Sequence, residues 1–399
     1  MIDEKKGALS GIRVIDLGRM VAAPYCAMML ANMGAEVIKV EEPEGGDISR
    51  VNLPKQNGIS TYYIAYNCSK SGITLNLKSS EGKAILRKLI QNADVLIENF
   101  RPGVMERLGF DYRAVSKINP RIVYASISGY GQEGEMSERA AFDPIAQAVS
   151  GMVSITGTDV ESTVRCGASI ADILAGQNAA FAILSALFYR NSSGRGQHID
   201  IALADSCVAA MASVIQIYLT TGKVPSPLGN GFEASAPGNA YRTKNGRIML
   251  LAGRNSEWAK LAKTLGHPEW LEDDLFTDVA DRVRNRNQLD VMIEAETQKY
   301  TTDELIQLLL DAKLPAGEIL NIEQVVNSPH FCQERNMFVD VEDPIAGKVR
   351  ITNLPINMSE SQPHIYKCAP TLGQDNDRIL SDLGYSAEEI QSYKKNNII

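Results

Sequence analysis

Residues 12–42 read IRVIDLGRMVAAPYCAMMLANMGAEVIKVEE and decide the fold class. The apolar run Val14–Leu17 predicts a short strand, and Ala23–Met33 predicts a helix that ends at Gly34. Residues Glu36–Glu41 alternate between polar and apolar side chains, which predicts a second strand. A strand, a helix and a strand in this order predict one βαβ unit of a parallel sheet.

The same alternation continues to about residue 130. Strands are predicted at Ile73–Leu77, Asp94–Ile97 and Ile122–Ile127, and a helix at Glu81–Gln91. We therefore predict an α/β fold class, with a Rossmann-like large domain built on a mostly parallel sheet. The turn Gly18–Pro24 lacks the G-x-G-x-x-G spacing, so a nicotinamide or flavin site is not expected.

A change of composition at residues 225–238, PSPLGNGFEASAPG, marks a boundary. Beyond it, Tyr241–Leu251 predicts a hairpin that turns at Asn245-Gly246 in the type I′ conformation. Helices are predicted at Ser256–Leu265, Arg284–Lys299 and Thr302–Asp311. We predict a smaller α+β domain over residues 225–325, inserted in a large domain that comprises residues 1–224 and a returning segment, 326–399.

The composition bounds the partners. The 399 residues include 48 acidic and 40 basic side chains, a formal net charge of -8, which argues against nucleic acid as the main partner. Four histidines and six cysteines are dispersed without a C-x-x-C pair, so no metal site and no disulfide framework are expected.

The N-terminal residues show no basic head followed by an apolar core, so we expect a cytoplasmic protein without a secretory signal. The longest apolar stretch, Ala171–Phe188, is interrupted by polar residues such as Asp172 and Gln177. It predicts a buried core helix rather than a membrane span, and no membrane partner is expected.

Asp172 is the first candidate for chemistry, because it stands where an extended segment enters this apolar helix. Unpaired amides at a helix start stabilise a carboxylate by about 0.3–1 kcal/mol. The small neighbours Ala168, Ser169 and Ala171 leave space for a second molecule. Asp172 could serve as a covalent nucleophile or a general base, and an ordinary helix-start residue with no chemistry is the structural alternative.

A second cluster lies at predicted strand ends, within the segments LNLK and ENFRPGVMERLGF. Its cations, Lys78, Arg101 and Arg107, suit a polyphosphate, and Phe100 could stack on an adenine ring. A solvated loop with Phe100 in the core is the structural alternative.

Together, these segments resemble the class III CoA-transferases, a family that includes formyl-CoA, carnitine and bile-acid CoA-transferases. The resemblance covers the chain from Leu9 to the C-terminus. It is carried by the motifs LSGIRVIDLGRMVAAPYCAMMLANMGAEVIKVEEPEGGD, NCSKSGITLNLK, ADVLIENFRPGVMERLGFDY, SISGYGQEG, AFDPIAQAVSG, IADILAG, SGRGQHIDIALADS, LPAGEI and APTLGQDNDRILSDLGYS.

The resemblance implies a role for each site residue. Asp172 matches the family's nucleophile, which forms aspartyl-anhydride and aspartyl-CoA intermediates, and coenzyme A is implied as the co-substrate, without a metal. A glycine-rich flap is implied near Gly229, Gly231 and Gly238, and so is an interlocked homodimer. The CoA contacts are implied at Val21, Ala22, Leu75, Lys78, Asn99, Phe100, Arg101 and Arg107.

The chain departs from formyl-CoA transferase where that enzyme has glutamine at the position of Val21, tyrosine-glutamate at Phe142-Asp143, and a CoA-binding arginine at Glu42. Phe142 and Asp143 are therefore expected to shape a different substrate pocket. An oxalate or formate substrate needs dense polar contacts, so we expect an apolar or 2-hydroxy acid as acceptor.

Two alternatives remain. An α-methylacyl-CoA racemase needs a histidine and an aspartate that flank the α-carbon, and Phe142 stands where the racemase histidine would be. A non-catalytic CoA-binding protein is the alternative outside enzymes.

Overall fold

The computed structural model describes residues 7–399. Its strands, in chain order, are β1 (Arg13–Asp16), β2 (Glu36–Glu41), β3 (Lys55–Gln56), β4 (Ile59–Ser60), β5 (Ser71–Thr74), β6 (Val95–Glu98), β7 (Val123–Ser128), β8 (His198–Ala202), β9 (Gly238–Arg242), β10 (Arg247–Leu251), β11 (Ala316–Glu318), β12 (Phe338–Asp343) and β13 (Gly347–Thr352).

Helices follow most of these strands. They are α1 (Ala22–Asn32), α2 (Thr61–Asn67), α3 (Ser80–Gln91), α4 (Val104–Leu108), α5 (Tyr112–Ile118), α6 (Asp143–Val149), α7 (Ile170–Ser193), α8 (Leu203–Ala210), α9 (Ala212–Thr221), α10 (Asn255–Thr264), α11 (Val279–Arg284), α12 (Arg286–Thr297), α13 (Thr302–Asp311), α14 (Ile322–Asn327), α15 (Asn376–Asp382) and α16 (Ala387–Lys395).

The chain divides into two compact units. The large unit comprises the chain up to Ser150, Cys166–Ala212 and Pro329–Ile399, and the small unit comprises Gly151–Arg165 and Ser213–Ser328. The segment 151–165 thus groups with the small unit, which its position in the sequence does not indicate. The predicted domain boundaries, 225–325 for the small domain and 1–224 with 326–399 for the large one, stay a prediction.

The large unit is built on a six-stranded parallel sheet in the order β5-β2-β1-β6-β7-β8. The predicted α/β class with a mostly parallel sheet is confirmed. The strand order reverses between β1 and β6, and in such sheets the crevice beyond the carboxyl ends at this point is where ligands bind. The interlocked dimer stays a prediction.

One face of this sheet carries an apolar core of the large unit. Buried side chains of β1, β5 and β6, such as Ile15, Ile73 and Leu96, pack with Leu86 of α3 and Leu380 of α15. A second cluster joins Tyr63 and Ile64 of α2 to the β12–β13 hairpin. The C-terminal segment therefore completes the core that the first half of the chain begins.

The small unit has its own core on the antiparallel sheet β11-β10-β9. Trp258 and Trp270 stack with ring centroids 5.8 Å apart, and the fully buried Arg282 donates hydrogen bonds to surrounding backbone carbonyls. The small unit thus has an antiparallel sheet of the kind that the predicted α+β domain requires.

The elements predicted from sequence are found with small shifts. Strand β2 has the predicted bounds, and α1 ends as expected before Gly34, whose φ of 99° is left-handed. Capping boxes begin α13 at Thr301 and α16 at Ser386. The predicted helix Arg284–Lys299 corresponds to α12, Arg286–Thr297, which begins and ends two residues inside the predicted bounds.

The hairpin β9–β10 is confirmed, but the predicted type I′ turn is wrong. Arg242 pairs with Arg247, which leaves a loop of more than two residues, and neither Asn245 nor Gly246 has a positive φ. The Asn245 side chain instead accepts hydrogen bonds from the backbone and the hydroxyl of Thr302, at the start of α13. Its use as a link to α13 explains the different loop.

Helix α7 is long and apolar enough to cross a membrane by length and composition, and 44% of its most apolar window is buried within the protein. The predicted core helix is confirmed on one side only, where Ala175, Ala179 and Ile183 are fully buried. Phe181 and Phe188 on the other side are 74% and 81% exposed. In the single chain this face has no cover.

Candidate active site

A cavity of about 500 Å³ lies in the large unit beyond the carboxyl ends of β1, β6 and β7. The strand order reverses at this point, so the position is the one expected for a ligand site in an open α/β sheet. Its lining comprises Arg19, Met20, Val21, Ala22, Ile48, Tyr62, Asn99, Phe100, Arg101, Pro102, Ile127, Ser128, Gly129, Ser137, Arg139, Ala141, Phe142, Asp143, Pro144, Ser169, Asp172 and Leu203.

Asp172 lies in the first turn of α7 and lines this cavity. Helix α7 packs closely on α1 at Gly176, where a Cβ atom would come within 2.7 Å of the carbonyl oxygen of Ala22. The missing side chain therefore allows the two helix starts to approach each other. Asp172 on one helix and Val21 and Ala22 on the other thus border the same space.

Asp143 holds the start of α7 from a different element, α6. Its Oδ1 accepts a hydrogen bond of 2.8 Å from the backbone amide of Ala171, and its Oδ2 accepts one of 2.8 Å from Gln147. Gln147 in turn accepts from the backbone amide of Cys166 at 2.8 Å. Asp143 therefore caps the helix that carries Asp172, a role that the sequence pattern did not indicate.

Asp143 lies close enough for its negative charge to act on Asp172. Burial is the main cause that raises the pKa of Asp172 to about 7, and the negative charge of Asp143 adds to it. A carboxylate that is poorly solvated in this way is a stronger nucleophile and also a stronger base when it is ionised.

Three tyrosines border the region beside Asp172. Tyr62 lines the cavity, and its ring packs against Tyr66 at 5.4 Å, which in turn packs against Tyr25 at 6.2 Å. Burial raises the pKa of Tyr62 to about 12, with further contributions from Tyr66 and Asp172. Neutral phenols on this side supply hydrogen-bond donors without adding charge.

Four buried charged residues hold the turn between β1 and α1. Lys39 pairs with Asp47 at 3.0 Å and Lys70 pairs with Asp16 at 2.8 Å, and all four side chains are fully buried. Lys39 also donates to the carbonyl oxygen of Gly18 at 2.7 Å. These bonds fix the turn after β1, and residues of this turn line the cavity.

Met20, at the end of this turn, has a left-handed backbone with φ of 64°. Its amide donates to Asp47 at 3.1 Å, so the buried pair directly supports this unusual conformation. Non-glycine residues adopt such a backbone rarely, and in this protein it lies in the wall of the cavity beside Val21.

A second cavity of about 300 Å³ lies at the carboxyl ends of β1, β2 and β5. Phe100 and Arg19 line both cavities, and the Arg19 guanidinium lies 5.1 Å from the centre of the Phe100 ring. Asn99 binds the backbone of Arg19 through both its amide oxygen and its amide nitrogen, at 2.8 and 2.9 Å. The loop after β6 is thereby tied to the turn after β1.

The structure brings most of the predicted CoA-contacting residues to these two cavities. Val21, Ala22, Asn99 and Arg101 line the first, and Phe100 lines both. Leu75 and Lys78 line the second, where Lys78 pairs with Glu42 at 3.8 Å in an exposed contact. Arg107 is exposed on α4 and is not among the lining residues of either cavity.

Phe142 and Asp143 line the first cavity with Asp172, as expected for pocket residues. Phe142 is 66% exposed, whereas Asp143 is buried and occupied with helix capping. None of the lining residues, all within the described range 7–399, is a histidine.

The predicted flap residues belong to the small unit. Gly229 has a φ of 60° and its amide donates to Gly157 at 2.7 Å, and Gly238 begins β9. The Arg286 guanidinium donates to the carbonyl oxygens of Phe232 and Ser235, and a Cβ atom at Gly231 would meet it at 2.8 Å. The loop is thus anchored at several points within its own unit, and its action as a flap stays a prediction.

Sequence reasoning missed several lining residues, among them Arg19, Tyr62, Ser137 and Arg139. Arg19 directly follows the strand-end glycine Gly18, so its position at a carboxyl strand end was a usable signal. Arg139 and Ser137 lie on a loop whose path only the tertiary structure determines.

Comparison with known proteins gives a consistent result. The model of the family described as CoA-transferase family III matches residues 9–376. The succinate–glutarate CoA-transferase of Agrobacterium fabrum is 36% identical over 386 residues, covering 95% of this chain and 96% of that protein. The succinyl-CoA–D-citramalate CoA-transferase of Chloroflexus aurantiacus is 33% identical, covering 98% of both chains.

Among solved structures, a CAIB/BAIF family protein from Brucella suis is similar with a TM-score of 0.85 at 33% identity. The likeness covers 94% of this chain and 99% of that one. Sequence and fold therefore point to the same relatives.

Proposed function

Because this chain belongs to CoA-transferase family III, we propose that Asp172 is the group through which it moves CoA from a donor acyl-CoA to a carboxylic acid. The chain is a CoA-transferase, and its substrates are acyl-CoA thioesters and carboxylic acids. The observation that supports the role of Asp172 most directly is its place at the start of α7, in a cavity that is shared with the loops after β1 and β6.

The proposed reaction has four balanced steps. The Asp172 carboxylate attacks the donor thioester, the carbon–sulfur bond breaks, and CoA leaves as a thiolate. The thiolate attacks the aspartyl carbonyl of the mixed anhydride, which forms aspartyl-CoA and releases the donor acid. The acceptor carboxylate then attacks aspartyl-CoA and releases the thiolate again. In the last step the thiolate attacks the acyl carbonyl of the new anhydride, which yields the product acyl-CoA and free Asp172.

The two cavities suit a long, bent ligand of this kind. We assign the polyphosphate end of CoA to Lys78 and Arg101, with Arg19 as a further cation, and the adenine ring to the face of Phe100. Val21, Ala22, Leu75 and Asn99 would contact the remainder, and Arg107 is proposed as a cation outside the two cavities. The thioester would then lie beside Asp172.

The acceptor is a carboxylic acid, and its finer type is a proposal. We propose that the acceptor is an apolar or 2-hydroxy acid, as the sequence suggests, because Phe142 and Val21 give the cavity apolar walls. A dicarboxylic acid is the second candidate. It is favoured by Arg139 in the same lining and by the succinate, glutarate and D-citramalate in the names of two relatives.

A racemase reaction is the competing use of the same site. With its raised pKa, Asp172 would suit the role of a general base. A racemase, however, needs a second proton-transfer group on the other side of the α-carbon. Phe142 occupies the position where the second group is expected. α-Proton exchange in deuterated water without any acceptor acid would contradict the transferase proposal.

Covalent trapping tests the role of Asp172. The protein is mixed with an acyl-CoA and then with hydroxylamine, and peptide masses are measured. We expect a hydroxamate on Asp172 in the wild type and none in Asp172→Asn. Asp205, an exposed carboxylate in the first turn of α8, provides a matched control, because Asp205→Asn should label like the wild type. Unlabelled Asp172 in an active enzyme would overturn the proposal.

We also propose that two chains form an interlocked homodimer. The support in this chain is the exposed apolar face of α7 around Phe181, Phe188 and Tyr189, because large apolar patches on a free surface usually mark an interface.

A further inference from the structure

A third cavity of about 370 Å³ lies in the large unit, apart from the residues assigned to CoA and the acyl group. Its lining includes Glu98, Ser126 and His198, which belong to a row of polar side chains across three parallel strands. Glu98 at the end of β6 pairs in register with Ser126 of β7, which pairs with Asp200 of β8. Since paired residues of parallel strands share one face of the sheet, these three side chains lie side by side, and His198 lies on the same face as Asp200.

Glu98 connects this row to the CoA-binding loop. Its side chain is only 3% exposed, and its Oε2 accepts a hydrogen bond of 2.8 Å from the backbone amide of Phe100. Phe100 and its neighbours Asn99 and Arg101 line the cavity that holds Asp172. The carboxylate therefore supports, from behind, the segment that we assign to CoA.

Ser126 continues the row toward solvent. Ser126 pairs in register with Glu98, and its hydroxyl hydrogen-bonds with Nε2 of His198 at 3.0 Å. The imidazole is exposed, stacks on Tyr112 at 5.4 Å and meets the edge of Tyr124 at the same distance. Neighbouring polar side chains thus lead from an exposed ring to the buried carboxylate.

We infer that Glu98 is a positioning residue of the transferase, whose carboxylate holds segment 99–101 for CoA and exchanges its proton with solvent through Ser126 and His198. The inference rests on the proposed CoA site. In the ionised state the Ser126 hydroxyl donates to Glu98 and accepts from Nε2–H of His198. When a proton enters at Nδ1, the Nε2 proton passes to Ser126 and the Ser126 proton passes to Glu98. Both Glu98 and His198 are then neutral.

The surroundings of Glu98 favour this exchange near neutral pH. Burial raises the pKa of Glu98 to about 7, hydrogen bonds from Ser126 and Phe100 oppose it, and the charge of Asp200 adds to it. Burial also lowers the pKa of His198, so that the ring is mostly neutral when it relays the proton. The charged and titratable side chains facing this cavity or the row beside it are Glu106, Asp111, Tyr112, Arg113, Tyr124, Glu133, His198 and Asp200.

The consequence for CoA has a definite sign. A hydrogen bond to an ionised carboxylate is roughly twice as strong as one to a neutral group. Above pH 7, Glu98 is ionised and holds the Phe100 amide firmly; below pH 7 that support weakens. We expect this support to make CoA binding about fivefold tighter at pH 8.5 than at pH 5.5.

Calorimetric titration of the full-length protein with CoA tests this. The change Glu98→Gln keeps the shape and an amide oxygen for Phe100 but cannot ionise. We expect its affinity to equal that of the wild type at pH 5.5 and to be about fivefold weaker at pH 8.5. The ionisable groups of CoA titrate equally in the experiments with the wild type and with Glu98→Gln. The quantity to compare is therefore the ratio of the two proteins' affinities at each pH. Glu106→Gln, a carboxylate in the same cavity without a bond to the loop, should follow the wild type.

A second variant tests the hydroxyl link. Ser126→Ala removes a donor to the carboxylate, so the midpoint of the affinity profile should move to higher pH. A constant ratio between wild type and Glu98→Gln at all pH values, or an unmoved midpoint in Ser126→Ala, would overturn the inference. Trapping at Asp172 with saturating acyl-CoA is independent of both results, so a failure there would affect the proposed function and not the role of Glu98.

Discussion

At the scale of single residues, the neighbouring carboxylates of Asp172 and Asp143 differ in their hydrogen bonds. Asp143 uses both its oxygens to hold α7 and Gln147, whereas no hydrogen bond from protein is found to the side chain of Asp172 within the described residues. One carboxylate builds the site and the other remains available to a substrate. The cost is a free carboxylate in a poorly solvated place.

This cost makes a stability prediction. The pKa of Asp172 is raised to about 7, so the folded state binds its proton more tightly than the unfolded chain, and stability is lost as the pH rises from about 4 through 7. Asp172→Asn should therefore be more stable than the wild type by about 1–2 kcal/mol at pH 8, although it lacks the proposed nucleophile. Chemical denaturation at pH 8 and pH 4.5 should show the difference shrinking at the lower pH. A less stable variant at pH 8 would contradict this.

The same pair predicts a shift in the pH profile. In the wild type, kcat/KM should rise with pH around 7 as Asp172 ionises. Asp143→Asn removes the neighbouring negative charge, so the midpoint should move to lower pH. The variant should also have a lower maximal rate, since the Gln147 contact is disturbed. Initial rates across pH 5.5–8.5 at saturating acceptor provide the measurement, and a midpoint that moves upward would exclude the electrostatic role.

At the scale of elements, the approach of α7 to α1 is decided by one missing side chain. Gly176→Ala would place a methyl group 2.7 Å from the Ala22 carbonyl, a contact that the backbone must relieve by moving. We expect a loss of about 1–3 kcal/mol in stability and a higher KM for acyl-CoA. Gly317→Ala is the control, because its new Cβ would meet nothing within 4 Å. Equal thermal midpoints for the two variants would contradict the close packing.

The turn after β1 gives a second prediction at this scale. Lys39→Met leaves Asp47 as a buried charge without its partner and should cost about 3–5 kcal/mol. Lys348→Met removes an exposed pair with Asp340 and should cost less than about 1 kcal/mol. Urea denaturation distinguishes the two. Adding Asp47→Asn to Lys39→Met should recover part of the loss, since the unpaired charge is then gone.

These elements show which features of the fold and the site could be predicted from the sequence. Strand β2 and the α1 end at Gly34 were predictable because their periodicity and cap residues are local. The place of Asp172 at a helix start was predictable for the same reason. The capping of α7 by Asp143 was not, because the bond joins residues 28 positions apart along the chain. The turn type at Asn245 was predicted wrongly because the Asn245 side chain accepts a hydrogen bond from Thr302. The local sequence pattern does not indicate this distant partner.

At the scale of the whole molecule, the exposed side of α7 predicts assembly. Phe181→Glu with Phe188→Glu places two charges on the apolar face, and we expect either dissociation or loss of folding in sedimentation and circular dichroism. An interlocked pair should unfold in one transition whose midpoint rises with protein concentration. Val291→Glu, at a separate exposed apolar residue of α12, should change neither. A stable wild-type monomer at all concentrations would contradict the dimer.

The large unit is assembled from distant parts of the chain, and this has a consequence during synthesis. The outer strand β5 is held by Asp375 and Asn376, which accept hydrogen bonds from the amides of Gly72 and Thr74. Asp375 and Asn376 are synthesised some 300 residues after β5. By then, every residue assigned to the reaction has already emerged from the ribosome. Until then the nascent sheet has an uncovered edge that can pair with other strands. Chaperone capture of ribosome-bound chains that stop before residue 370 should therefore be strong, and it should decline once the last segment emerges.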